Sequence, residues 1–204
     1  MEAAGPPEMY VHFQQVGEIH DAIVLGDVEA TRAPARALAN SHNPYGEAAV
    51  EAWQLMQAEA RGIQEQHDLL DLSRSVARMG MACGACHLTM EDGPDIQPGD
   101  PPSGSRVPTP HMLRHQWATD RLWEGLVGPS PTAWAAGAGA LRDAALDFGP
   151  PGNRAAEVEQ LARRVHLLGD DCRHTESWED RASIYGRLLE TCANCHELMG
   201  LRMR

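Results

Sequence analysis

Two thiols three positions apart, followed at once by an imidazole, occur twice in this chain. The first set is Cys83-Gly84-Ala85-Cys86-His87 and the second is Cys192-Ala193-Asn194-Cys195-His196. Cys-x-x-Cys-His is the attachment pattern of a c-type haem. The spacing has a physical reason. Thiols at this separation lie on one side of a helical turn and reach the two vinyl groups of a porphyrin. The next residue, His, can then swing its ring under the iron as the proximal ligand. The competing chemistry is a four-Cys zinc site. Zinc knuckles usually stand about fifteen to twenty residues apart, whereas Cys86 and Cys192 are separated by more than a hundred positions. The expected cofactors are therefore two covalently bound haem c groups. Cys83, Cys86, Cys192 and Cys195 would attach them, and His87 and His196 would ligate iron.

Composition narrows the setting for that chemistry. The length of 204 residues fits one large domain or two small ones, and 43% hydrophobic content is enough for a packed core. Aromatics are only 5%, and the abundance of Ala and Leu favours helices. All 17 basic residues are Arg, which we read as base-composition bias. The formal net charge is −12. That balance argues against nucleic acid and anionic membrane surfaces and suits a partner with a basic docking face. No apolar run is long enough to span a membrane. The lead Met1-Glu2-Ala3-Ala4-Gly5-Pro6-Pro7 is acidic and has no apolar core, so it is not an export signal. Haem attachment of this kind takes place outside the cytoplasm. The expectation is a mature periplasmic or otherwise extracytoplasmic form.

Periodicity and breaks place the motifs on helices. Met9–Leu25 reads as a helix through Val16, Ile19, Ile23 and Val24. Asp27 can cap a second, in which Pro34 implies a kink or a later start. Asn43-Pro44 marks a turn. Third and fourth helices are expected over 47–66 and 68–90. Residues 91–109 are rich in Pro, Gly, Ser and Asp and read as a linker. Four further helices are expected over 111–127, 132–146, 154–168 and 178–199, with Ser130 a candidate cap, 148–153 a turn, and Gly137 and Gly139 permitting close packing. The expected domains are 8–90 and 110–204, joined by 91–109.

The halves repeat. Asp71 to Cys83 lies over Asp180 to Cys192 at an offset of 109, and Met9-Tyr-Val-His12 lies over Met112-Leu-Arg-His115 at an offset of 103. Matched short segments in the same order of breaks point to duplication. Cys172 is the fifth and odd cysteine, read as a free thiol at a helix end.

A motif late in the last of four helices, with Val76-Ala-Arg-Met-Gly80-Met-Ala-Cys83-Gly-Ala-Cys86-His87 around it, resembles the class II cytochromes c, the cytochrome c′ family. The second copy is looser, and each half is shorter than a usual member. The resemblance implies an all-α fold of two tandem four-helix bundles, each with a c-type haem attached near the end of its last helix. It also implies that the first helix faces the distal side of the iron. His12 stands about fourteen residues before Gly26, and His115 lies a similar distance before Gly128. The expected axial pairs are His87 with His12 and His196 with His115. Met9 and Met112, one helical turn earlier, are the competing donors, and an open iron is the third arrangement. His20 could line the first haem pocket. Arg78 and Arg187 could meet propionates, and Met79, Met81, Met90 and Met199 could pack on porphyrin. The other histidines, His42, His67, His111, His166 and His174, read as surface or core residues.

Two six-coordinate irons leave one-electron exchange as the chemistry, so the expected function is electron transfer between redox partners, not enzymatic turnover. A larger cytochrome assembly or a second copy of the chain is a further expected partner. The alternative is a gas-binding or sensor protein with an open iron. A dihaem peroxidase would need an acid–base residue beside such an iron, and no such constellation is evident.

Overall fold

Asp68 and Ser177 start the two helices that carry the Cys-x-x-Cys-His motifs. A computed structural model describes residues 7–102, 108–142 and 155–201. Among these the regular structure is entirely helical: α1 (Pro7–Val24), α2 (Arg32–Ala39), α3 (Val50–Glu65), α4 (Leu69–Met90), α5 (Pro108–Val127), α6 (Pro131–Arg142), α7 (Ala155–Cys172) and α8 (Trp178–Met199). Asp68 accepts the Asp71 N–H at 3.1 Å and Ser177 accepts the Asp180 N–H at 3.0 Å, which satisfies donors that a helix start leaves open. The two caps stand 109 residues apart and each motif helix runs for 22 residues. The far ends match as well. Glu91 (φ 52°) and Gly200 (φ 68°) close α4 and α8 in the left-handed region. Glycine adopts it freely, while a side chain there costs about 1–2 kcal/mol.

Local signals account for the remaining boundaries. Asp27 accepts the Ala30 N–H at 3.1 Å ahead of a 3-10 turn over Glu29–Thr31, but does not cap the second α-helix, whose N-cap residue Thr31 makes no side-chain cap hydrogen bond. The α-helix starts after that 3-10 turn, so Pro34 falls in the first turn, where no intrahelical N–H bond exists to lose. The stretch Glu47–Ala49 is likewise a 3-10 turn leading into α3. Ser130 takes the Ala133 N–H at 3.2 Å. Gly137 sits where a Cβ would lie 2.6 Å from the Ala118 carbonyl oxygen, so it is a close-packing residue; Gly139 has nothing within 4 Å and is not. α7 continues a turn beyond the expected Leu168. Its end is held by the Trp134 indole, which donates to the Cys172 carbonyl at 2.8 Å. Cys172 is buried, and burial pushes its thiol up to about 12. The expected helix end over 143–146 and the turn over 148–153 lie outside the described residues.

Helices adjacent in sequence pack together in each half, α1 on α2 on α3 on α4 and α5 on α6 on α7 on α8. α4 also meets α1, and α8 meets α5. The halves join through the motif helices. α4 crosses α8 closely at Gly186, where a Cβ would lie 3.1 Å from the Arg74 Cα. Two further contacts, α4 with α5 and α8 with α1, are related to each other by the repeat. One apolar core runs through both halves, from Val16, Ile19 and Ile23 through Leu72, Val76 and Met79 to Leu122, Leu126, Tyr185 and Leu188. Each such side chain contributes about 1.5–3 kcal/mol by its burial.

The described part of the Pro/Gly-rich segment is not a free spacer. Ile96 and Pro94 pack on Gly128, where a Cβ would meet them at 2.3 and 3.0 Å, and Arg121 donates to the Pro98 carbonyl at 3.1 Å. This strap lies against the end of α5, next to the first motif.

Candidate cofactor sites

Each motif histidine is held by the opposite half of the chain. His87 Nδ1 lies 2.7 Å from the Val127 carbonyl oxygen at the end of α5, and His196 Nδ1 lies 2.8 Å from the Val24 carbonyl oxygen at the end of α1. A carbonyl can only accept, so Nδ1 carries the proton in both rings. Nε2 is then the nitrogen with a lone pair. A hydrogen bond of this kind orients a histidine and raises the basicity of its other nitrogen, as metal-ligating histidines require. Val24 and Val127 are 103 residues apart and His87 and His196 are 109 apart, so both registers of the repeat meet in one crossed arrangement.

Gly84 makes the first of these contacts reachable. A Cβ at Gly84 would sit 2.3 Å from the Leu126 carbonyl oxygen. Without one, α4 approaches the last turn of α5 and brings His87 to Val127.

The first cavity lies between α1, α3 and α4. It has a volume of about 40 Å³, and Met9, His12, Phe13, Trp53, Met56, Cys83, Cys86 and Val127 are among its lining residues. His12 is 9% exposed and packs edge-on against Trp53, with ring centroids 4.6 Å apart. The second cavity is much larger, about 500 Å³, between α1, α5, α7 and α8. Met112, His115, Cys192, Cys195 and His196 line it, together with His20, Asp21 and Val24 from the other half. Small-molecule sites are typically about 300–1,000 Å³. The second cavity has both the donor set and the room for a porphyrin. The first has Cys83, Cys86 and His12 among its lining residues but not His87, and its volume is well below that of a small-molecule site.

His12 thus shares a cavity with Cys83 and Cys86, and His115 shares one with Cys192, Cys195 and His196. Met9 and Met112 line the same cavities, so each cavity has a His and a Met within one helical turn.

Other expected residues lie elsewhere. His20 lines the second cavity, not the first, because α1 ends against α8. Arg78 is engaged by Glu59 in a two-pronged ion pair at 2.6 and 2.8 Å, and Arg187 faces Asp171 at 3.8 Å. Met79 is buried in the core, Met90 and Met199 are exposed, and none of Met79, Met81, Met90 and Met199 lines either cavity. His166 was expected to be an ordinary surface or core residue, yet its ring centroid lies 5.8 Å from that of His115. Burial lowers its pKa. Nothing in the sequence around His166 signals this contact.

Burial pushes the Cys83 and Cys192 thiols up to about 12. Cys86 and Cys195 are raised as well, also by burial. The thiolate is the nucleophile, and a pKa near 12 instead of 9 leaves about a thousandfold less of it at neutral pH. In the cofactor-free protein, iodoacetamide is expected to label Cys86 and Cys195 well before Cys83 and Cys192. Peptide mass mapping over time reads the order, and equal labelling of all four would contradict it.

Among the described residues, no three of His, Cys, Asp and Glu converge closely enough to hold a bare metal ion. The four motif thiols are therefore not gathered into one zinc-type cluster. No described helix is long and apolar enough to cross a membrane. The chain matches no family model, no curated protein and no solved structure.

Proposed function

We propose that the chain is a dihaem c-type cytochrome that passes single electrons between redox proteins. The carrying observation is the pair of crossed hydrogen bonds. Two histidines, each directly after a Cys-x-x-Cys, both donate Nδ1–H to a backbone carbonyl and so present Nε2 as a ligand. Haem, when bound, supplies one-electron exchange at its iron. Cys83 and Cys86 hold one haem and Cys192 and Cys195 the other. His87 and His196, with His12 and His115, would ligate the two irons. Apolar side chains line both cavities, Trp53, Met56 and Val16 at the first and Leu161, Ala162 and Val165 at the second.

The helix pairings support a reading as two four-helix bundles in tandem, resembling cytochrome c′ domains, with a haem near the end of each last helix. Haem attachment of this kind takes place outside the cytoplasm, so the reading carries an extracytoplasmic setting with it. A net charge of −12 suits a partner with a basic face. If side chains ligate both faces of each iron, one-electron exchange is the chemistry the haems would supply.

The test is the optical spectrum of the reduced holoprotein with and without carbon monoxide. Sharp bands unchanged by the gas are expected for the wild type. His12→Ala and His115→Ala should each open one of the two irons, so that half of the haem binds the gas. Gas binding by the wild type would favour the sensor reading. Variants that bind none would remove His12 and His115 as ligands and leave Met9 and Met112 as the donors.

A further inference from the structure

His20 occupies a position that its repeat counterpart cannot imitate. At the offset of 103, His20 corresponds to Trp123 and Asp21 to Glu124; at the offset of 109, Tyr185 corresponds to Val76. The imidazole is 8% exposed and lies where the halves meet, 4.9 Å from the Trp123 ring centroid. Its Nδ1 is 3.2 Å from the Asp21 carboxylate, which is open to solvent, and its Nε2 is 2.8 Å from the Tyr185 hydroxyl, which is buried. His20 and Asp21 both line the second cavity beside Cys192 and His196. The matching chain at the first cavity would be Glu124, Trp123 and Val76, and neither an indole nor an isopropyl group can take a proton near neutral pH.

We propose that Asp21, His20 and Tyr185 form a proton-accepting chain that couples electron uptake at the second site to proton uptake, while the first site has no such coupling. This inference rests on the dihaem reading. The geometry allows both protonation states without an orphaned group. With neutral His20, Nδ1–H faces Asp21 and Nε2 accepts from the Tyr185 hydroxyl. With protonated His20, Nε2–H donates to the Tyr185 oxygen, and the tyrosine proton turns to the Thr119 carbonyl, 3.4 Å away. Burial keeps that tyrosine in its protonated form throughout. The other titratable groups that share the cavity with the imidazole are Asp120 on α5, itself beside Arg121 and Glu124, and the motif residues Cys192 and His196 on α8. Arg121 pairs with Glu124. The Asp120 carboxyl is pushed up by burial, against the pull of His20 and Arg121. Histidine is the side chain whose charge ordinarily changes between pH 5 and 8.

The balance is simple. A one-electron redox protein delivers an electron to the second site, and solvent delivers a proton to His20 through Asp21. Oxidation returns the electron to a partner and the proton to solvent. The sign follows: a positive charge on His20 favours the reduced form, so the potential falls as pH rises. One proton per electron gives a slope of up to about 59 mV per pH unit, the one-electron equivalent of a tenfold change.

The test is a spectroelectrochemical titration of the holoprotein between pH 5 and 9, after its haem content is measured. Two one-electron waves are expected, one sloping with pH and one nearly level. His20→Gln should level the sloping wave and leave the other in place. Asp21→Asn changes an exposed side chain and keeps the core intact. It should alter the sloping wave and leave the level one in place, which decides the matter even where His20→Gln fails to fold. Two level waves would overturn the coupling. So would two waves that slope alike and persist in His20→Gln, as propionate titration would produce. A protein without haem would instead overturn the dihaem reading itself.

Discussion

Replacing Cys192 and Cys195 together with Ala is expected to leave an exported protein that carries one covalently bound haem instead of two. Intact-mass measurement reads the number directly. The argument is geometric. Both thiols open onto the cavity of about 500 Å³ that also holds His196 and His115. A thiol adding across a vinyl group loses no atom, since the S–C bond forms as the S–H proton passes to the neighbouring carbon. Without the two sulfurs, the axial histidines alone would keep that haem, and denaturation would release it. Replacing Cys83 and Cys86 should lower the count by one in the same way. A wild-type mass with no added haem would overturn the functional reading altogether.

Gly84→Val is expected to damage the first site through packing rather than ligation. Its Cβ would meet the Leu126 carbonyl oxygen at 2.3 Å. That neighbour is backbone and cannot rotate away, so α4 must withdraw from α5. Overpacking of this kind costs about 1–3 kcal/mol or more. For a chain of this size each kcal/mol lowers Tm by about 2–4 °C. The withdrawal also takes His87 away from Val127, so the spectrum of one haem of the two should broaden or change ligation. Gly139→Ala is the control. Nothing lies within 4 Å of its Cβ, and in a helix interior the change should stabilise by about 0.5–1 kcal/mol. Thermal melts of the two variants should move in opposite directions.

Local chemistry made much of this legible from residues alone. The cap at Ser130, the helices that carry the motifs, and Pro34 at a delayed helix start all depend on neighbours a few positions away. The repeat offsets were legible for a related reason, since matched residues stand at matched places in both halves. What stayed hidden depends on which distant elements meet. His20 was expected at the first pocket because it shares a helix with His12. Helical periodicity gives a residue's face but not what the helix packs on at each level, and α1 reaches α8 by the level of His20. The 91–102 strap has the composition of a free linker, yet Ile96 finds an apolar seat at Gly128. The crossed hydrogen bonds use backbone carbonyls, which carry no side-chain signature.

Those crossed bonds also set a timetable for a chain made from its amino terminus. The carbonyl that fixes His87 lies 40 residues downstream of it, whereas the one that fixes His196 lies 172 residues upstream. A nascent chain that has just exposed its first motif therefore has nothing yet to steer that ring, and must wait for the end of α5 to emerge. The second ring finds its anchor already made. Stalled or clipped products ending before residue 127 would carry a complete thiol pair beside an unguided imidazole.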